Sequence, residues 1–170
     1  EGFATLVEQA GTRRWLEARG DRAGLCRFAL REARRTVALG IIARLRSELE
    51  AIYRDEAVHD EERRARREAA FAAARAGYAA ERANWASPPW FDGWFAPGLN
   101  NARLAALASY EDYVPGFRSL LADAGGDLPR FYARVEALGR APPGEREAVL
   151  RAAAAWNVPV SAVPAGGSCP

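Results

Sequence analysis

The chain has 170 residues, 49% of them apolar, with 24 arginines, no lysine, 22 acidic residues and a net charge of +2. That length can bury a sizeable core, and charges of both signs, interspersed, do not mark a nucleic-acid binder. No apolar run is long enough to span a bilayer, and the distant pair Cys26 and Cys169 supports neither a disulfide framework nor a zinc knuckle.

Helix is predicted nearly throughout. In the opening stretch Phe3, Leu6, Val7 and Ala10 recur at three- and four-residue steps and form one apolar stripe. Glu1, Thr5 and Glu8 share a second face, because residues four and seven apart stack along a helix. This first helix is expected over 2–19, with Gly20 in the left-handed position that ends it. Asp21 caps a long second helix over 22–54, in which Leu25, Phe28, Val37, Ile41, Leu45, Leu49 and Ile52 mark the buried side. At 1.5 Å per residue that helix spans roughly 45–50 Å. A polar break over 55–62 contains His59, the single histidine, which is expected to be an exposed bystander. A third helix follows over 60–84, mainly alanine on its apolar side, with Phe71 and Tyr78 as the large residues. Two such helices read as an αα-hairpin. The run Glu61 to Glu68 sets acids three to five residues before bases, the pattern of a solvated face.

Helix stops at Ser87-Pro88-Pro89. The irregular stretch 85–101 holds Trp85, Trp90, Phe91, Trp94 and Phe95, and a loop with that aromatic load must pack on something or bind something. Asn100 or Asn101 caps a helix to about 109, and short helices are expected over 115–124, 128–138 and 144–155. Asp127 and Pro129 suit the start of the second of these. The fold class is therefore all-α: a helical bundle with a long αα-hairpin, then an aromatic-rich loop and several short helices. Residues 1–156 form the helical part and 157–170 a poorly ordered tail.

Glu1-Gly2-Phe3-Ala4-Thr5 resembles the helix that carries the third zinc ligand in gluzincin-type metallopeptidases. The run to Gly20, with Gly11-Thr12-Arg13-Arg14-Trp15-Leu16, resembles a narrower group, the predicted bacterial aminopeptidases. Trp94-Phe95-Ala96, Leu99-Asn100-Asn101-Ala102-Arg103-Leu104, Tyr110, Val114-Pro115-Gly116-Phe117 and Gly126-Asp127-Leu128-Pro129-Arg130-Phe131-Tyr132 extend the likeness to about Leu150. The resemblance implies a zinc-dependent aminopeptidase with a peptide substrate, and Glu1 as the third ligand. Two histidines and the general-base glutamate would come from a His-Glu-x-x-His helix upstream of Glu1. The chain thus reads as the C-terminal part of a larger protein, dependent on its missing N-terminal part and inactive without it. A bacterial source and an exported or lipid-anchored parent are further implications.

Thr5 stands where thermolysin-like relatives commonly place an Asp that orients a zinc-bound His, so an ionised partner is missing there, and Glu8 faces the same way. Trp94, Asn100 and Asn101 are candidates for the substrate wall, against the plainer reading of a packed loop with an Asn cap. Tyr110, or Tyr113, is a candidate donor to a developing oxyanion, against a place in the core. Two other readings use the same residues. A non-catalytic helical interaction module would use the hairpin to bind a protein. A nucleic-acid binder would use Arg63 to Arg67, but the interleaved acids oppose it.

Overall fold

The computed structural model describes residues 1–86, 91–96, 98–155 and 167–169, without the side chains of 108–110 and 154–155. Among the described residues there are eight helices and no strand. They are α1 (Gly2–Ala18), α2 (Arg22–Arg54), α3 (Asp60–Arg82), α4 (Asp92–Phe95), α5 (Asn101–Glu111), α6 (Val114–Asp123), α7 (Leu128–Gly139) and α8 (Pro143–Ala155). The all-α expectation holds, and most boundaries fall within two residues of the predicted ones, the usual uncertainty of helix ends. One short helix, α4, lies inside the stretch read as irregular. The proline segment 87–90 lies outside the described residues.

The predicted stop and start signals act as the physics requires. Gly20 sits at φ 63, the left-handed region that a side chain disfavours. Asp21 accepts a hydrogen bond from Gly24 N at 2.7 Å, and Asp127 accepts one from Arg130 N at 2.8 Å. Each satisfies a backbone donor that the first helical turn leaves orphaned.

The chain divides into two compact units, one of 1–20 with 105–160 and one of 21–104 with 161–170. In the first unit α6 packs against α1, α7 and α8. Leu6, Ala124 and Phe131 are its fully buried centre, and Phe3, Val7, Phe117 and Leu120 pack around them. Phe3 meets Phe117 edge-on and Phe131 in a stack, each with ring centroids 5.8 Å apart. The apolar stripe read from the first eleven residues is therefore the face that enters this core. Gly116 sets how closely α6 and α8 approach. A Cβ there would overlap the Leu150 carbonyl oxygen and lie 2.9 Å from its carbon. Ser119, also buried, donates to the Ala153 carbonyl at 2.8 Å across the same contact.

In the second unit α2 and α3 form the expected hairpin. Ile41, Leu45, Leu49 and Ile52 are buried as predicted, with Leu30, Ala38 and Ile42 beside them. Leu25, Phe28 and Val37 are only half-buried. From α3, Ala70, Phe71, Ala74 and Tyr78 face inward. Arg63 departs from the solvated face assigned to it. Its Nη2 donates to the carbonyls of Asp55 and Val58 at 3.2 and 2.9 Å, and its Nη1 to Asp60 at 2.7 Å. His59 is exposed at the start of α3, as expected.

The cysteines correct the sequence reading. Cys26 of α2 and Cys169 form a disulfide, with Cα atoms 5.7 Å apart. A disulfide asks only for proximity in space, and two cysteines 143 residues apart carry no local spacing signal. Of the segment predicted as a poorly ordered tail, residues 167–169 are described and the bond holds them to α2; the rest lies outside the described residues.

Candidate functional site

The predicted site residues fall in two places, one in each unit. The first is the start of α1. Glu1 stands at the N-cap position, and Thr5 N donates to its backbone carbonyl at 3.1 Å, which sets the two residues one turn apart. The Glu1 side chain is exposed and makes no capping bond to its own helix. Thr5 is half-buried and Glu8 exposed. The opposite side of this turn is anchored by Phe3 and Leu6 in the phenylalanine core, so Glu1 projects from a fixed helix. Further along, buried Gln9 accepts from Arg118 at 3.1 Å, and Arg14 donates to the Gly126 carbonyl, which ties α1 to the turn after α6. Arg13 pairs with Glu17 at 3.3 Å.

As a donor set for a metal, this arrangement supplies one carboxylate. Among the described residues no group of three or more His, Cys, Asp or Glu side chains comes together. The Glu1 carboxylate, exposed and not used in helix capping, is one possible oxygen donor.

The second place is the segment from α4 to the start of α5. Trp94 is half-buried, and the Arg103 guanidinium lies over its ring, 5.7 Å from the centroid. Asn100 caps α5, its Oδ1 accepting from Arg103 N at 3.1 Å. Asn101 Nδ2 donates to Tyr53 Oη at 2.8 Å and links the start of α5 to the end of α2. All three residues thus have packing or capping partners. Asn100 and Asn101 also line an open cavity of about 620 Å³ with Leu99 and Ala102, opposite Arg67, Glu68, Phe71 and Arg75 of α3. Trp94 does not line it. Tyr110 lies on α5, and its side chain is outside the described residues. Tyr113 precedes α6, and the Arg151 guanidinium lies over its ring, 5.8 Å from the centroid. The Glu147 carboxyl is held below its ordinary range, first by the hydrogen bond and charge of Arg151 and then by Tyr113.

Asp92, an acceptor in the aromatic stretch, is committed elsewhere. It accepts from Tyr78 Oη at 2.6 Å and from Arg82 Nε at 3.2 Å. Tyr78 stacks on Phe95 at 4.0 Å and meets Trp85 edge-on at 5.8 Å. Burial raises the Tyr78 phenol well above its ordinary value, the hydrogen bond to the Asp92 carboxylate and its charge add to this, and Arg82 opposes it. The aromatic load of the loop is therefore met largely by packing on α3. Arg75 went unnoticed in the sequence, and Arg67 was weighed only within the nucleic-acid reading of Arg63 to Arg67. The available signal was the absence of any acid three or four residues from either one.

A family model described as "Putative aminopeptidase" matches residues 1–150. The chain belongs to that family. No curated protein and no solved structure matches it. The match spans Glu1, the α4–α5 segment and α8 as far as Leu150, so both candidate places lie inside the aminopeptidase region. An aminopeptidase-like function follows from the family. No helix among the described residues is long and apolar enough to cross a membrane.

Proposed function

We propose that this chain is the C-terminal helical part of a zinc-dependent aminopeptidase of the gluzincin type, in which Glu1 is the third protein ligand. The observation that carries the reading is the position of Glu1. It opens an anchored helix inside the family match, with an exposed carboxylate that does not cap that helix. Two histidines and a general-base glutamate would be contributed by a His-Glu-x-x-His helix elsewhere in the same protein. Zinc, when bound, supplies Lewis-acid polarisation of the scissile carbonyl. Glu1 would hold the ion through one oxygen, the Phe3 and Leu6 anchors would fix its helix, and Thr5 and Glu8 would orient neighbouring ligands from the same face. Trp94, Asn100 and Asn101 of the α4–α5 segment are candidates for binding the peptide, and Tyr110 is the candidate donor to the developing oxyanion.

The Cys26–Cys169 disulfide supports an exported parent, because such bonds persist in oxidising compartments and are rare where glutathione keeps thiols reduced; the bacterial source rests on the family resemblance alone.

The test uses the full-length protein and its coding sequence. A His-Glu-x-x-His upstream of Glu1, zinc bound after purification, and hydrolysis of aminoacyl amides are the expected results. Glu1→Gln should lower bound zinc and cut activity by about 10-fold to 100-fold or more, the scale on which even outer groups around a metal act. Full zinc content and full activity in Glu1→Gln would overturn the assignment.

A further inference from the structure

The cavity between α3 and the start of α5 shares Asn100 and Asn101 with the peptidase reading, but its α3 residues form an arrangement that reading does not use. Arg67, Phe71 and Arg75 stand on successive turns of α3, since residues four apart share a helix face. Both arginines are half-buried, and among the described residues neither has a hydrogen-bond or ion-pair partner. Two neighbours on the same helix, Arg63 and Arg66, behave otherwise. Arg63 pairs with Asp60 at 2.7 Å and Arg66 with Glu62 at 2.6 Å. The sequence explains the difference: the positions three and four residues from Arg67 are arginine, alanine and phenylalanine, and those around Arg75 are alanine, phenylalanine and tyrosine. A guanidinium without an anion keeps its N–H donors open, and a carboxylate or phosphate can take them in pairs.

Phe71, between the two arginines on α3, and Leu99 are buried and give the same cavity an apolar part of its lining. The exposed amides of Asn100 and Asn101 stand at the other wall. Glu68 adds one negative charge to the same lining and leaves the side-chain charge of the cavity at about +1, two arginines against one glutamate. That balance disfavours a polyphosphate and suits a single carboxylate. A volume of about 620 Å³ lies in the range of small-molecule sites.

We propose that this cavity binds a monocarboxylate carrying an apolar side chain, the chemistry of the C-terminal end of a peptide. Arg67 and Arg75 provide the anion-binding donors, Phe71 and Leu99 receive the side chain, and the Asn100 and Asn101 amides bond the peptide group. The assignment needs neither Glu1 nor zinc.

Calorimetric titration of the chain with N-acetyl-leucine, in the presence of a chelator, tests it separately from the peptidase reading. Saturable binding is expected, at least tenfold weaker for N-acetyl-leucinamide, which lacks the carboxylate. Arg67→Gln and Arg75→Gln should each weaken it by tenfold or more while leaving the thermal midpoint in place, since neither side chain has a partner among the described residues. Four results would overturn the proposal: no saturable binding, equal binding of the amide, displacement by inorganic phosphate as readily as by the carboxylate, or undiminished binding in both variants.

Discussion

The two units are built in opposite ways. The second is local: α2 and α3 follow one another, pair through alanines and aliphatic residues, and are stapled by one covalent bond between Cys26 and Cys169. The first brings α1 together with helices more than ninety residues later, around Phe3, Phe117 and Phe131, with no covalent tie among the described residues. The contrast shows two ways for short helical segments to reach stability. One limits the freedom of the unfolded chain. The other relies on aromatic area and on backbone approach at a glycine.

The largest effect should come from the staple. Reduction, or Cys26→Ser, is expected to lower stability by about 2–5 kcal/mol, because the closed loop is long. A denaturant titration followed by amide exchange would locate the loss in α2 and α3. Equal loss of protection in α1 and α6 would erase the distinction between the two units.

Next in size is Gly116→Ala. Overpacking of a core contact costs about 1–3 kcal/mol, and the obstacle here is the Leu150 carbonyl, which has no rotamer to change. Exchange should quicken in α6 and α8. An unchanged midpoint would mean that α8 shifts without cost and that the close approach is not what holds this unit.

The smallest effect is visible only in alkali. The Tyr78 phenol is raised above its ordinary value of 10.0 in the folded chain. The unfolded state therefore releases this proton first, and the stability it contributes is whole below pH 10 and declines as the pH climbs toward the raised value. Tyr78→Phe should flatten that decline relative to the parent chain in thermal melts between pH 9 and about pH 11. Parallel curves for the two would remove Tyr78 from the account.

How much of this was legible in the sequence follows from how far each signal reaches. The hairpin was readable because its heptad-like spacing and its Asp21 cap are local, and α2 ends at Arg54 as expected. The Phe3–Leu6–Val7 stripe was readable as a buried face, but its partners were not, since nothing in the spacing of α1 points to Phe131. The disulfide was missed for the same reason. The meeting of Asp92 with Tyr78 and Arg82 was not readable, because it joins a short helix to a long one and leaves no local spacing signal. Asn100 and Asn101 were found through the family resemblance, and the structure adds what they face: two arginines whose lack of acidic neighbours was in the sequence throughout.

The grip of Arg63 on the Asp55 and Val58 carbonyls bears on the order in which the hairpin assembles. The clasp of the turn belongs to the element that comes after it. As the chain is made, α2 can be complete while the turn is still unset, because the residue that closes it has yet to be positioned by the first coil of α3. In the folded chain the corner and the second arm are thus coupled through one side chain. Lysine, whose donors all sit on one nitrogen, would leave that corner looser even where it preserved the charge, because Arg63 reaches its partners from two.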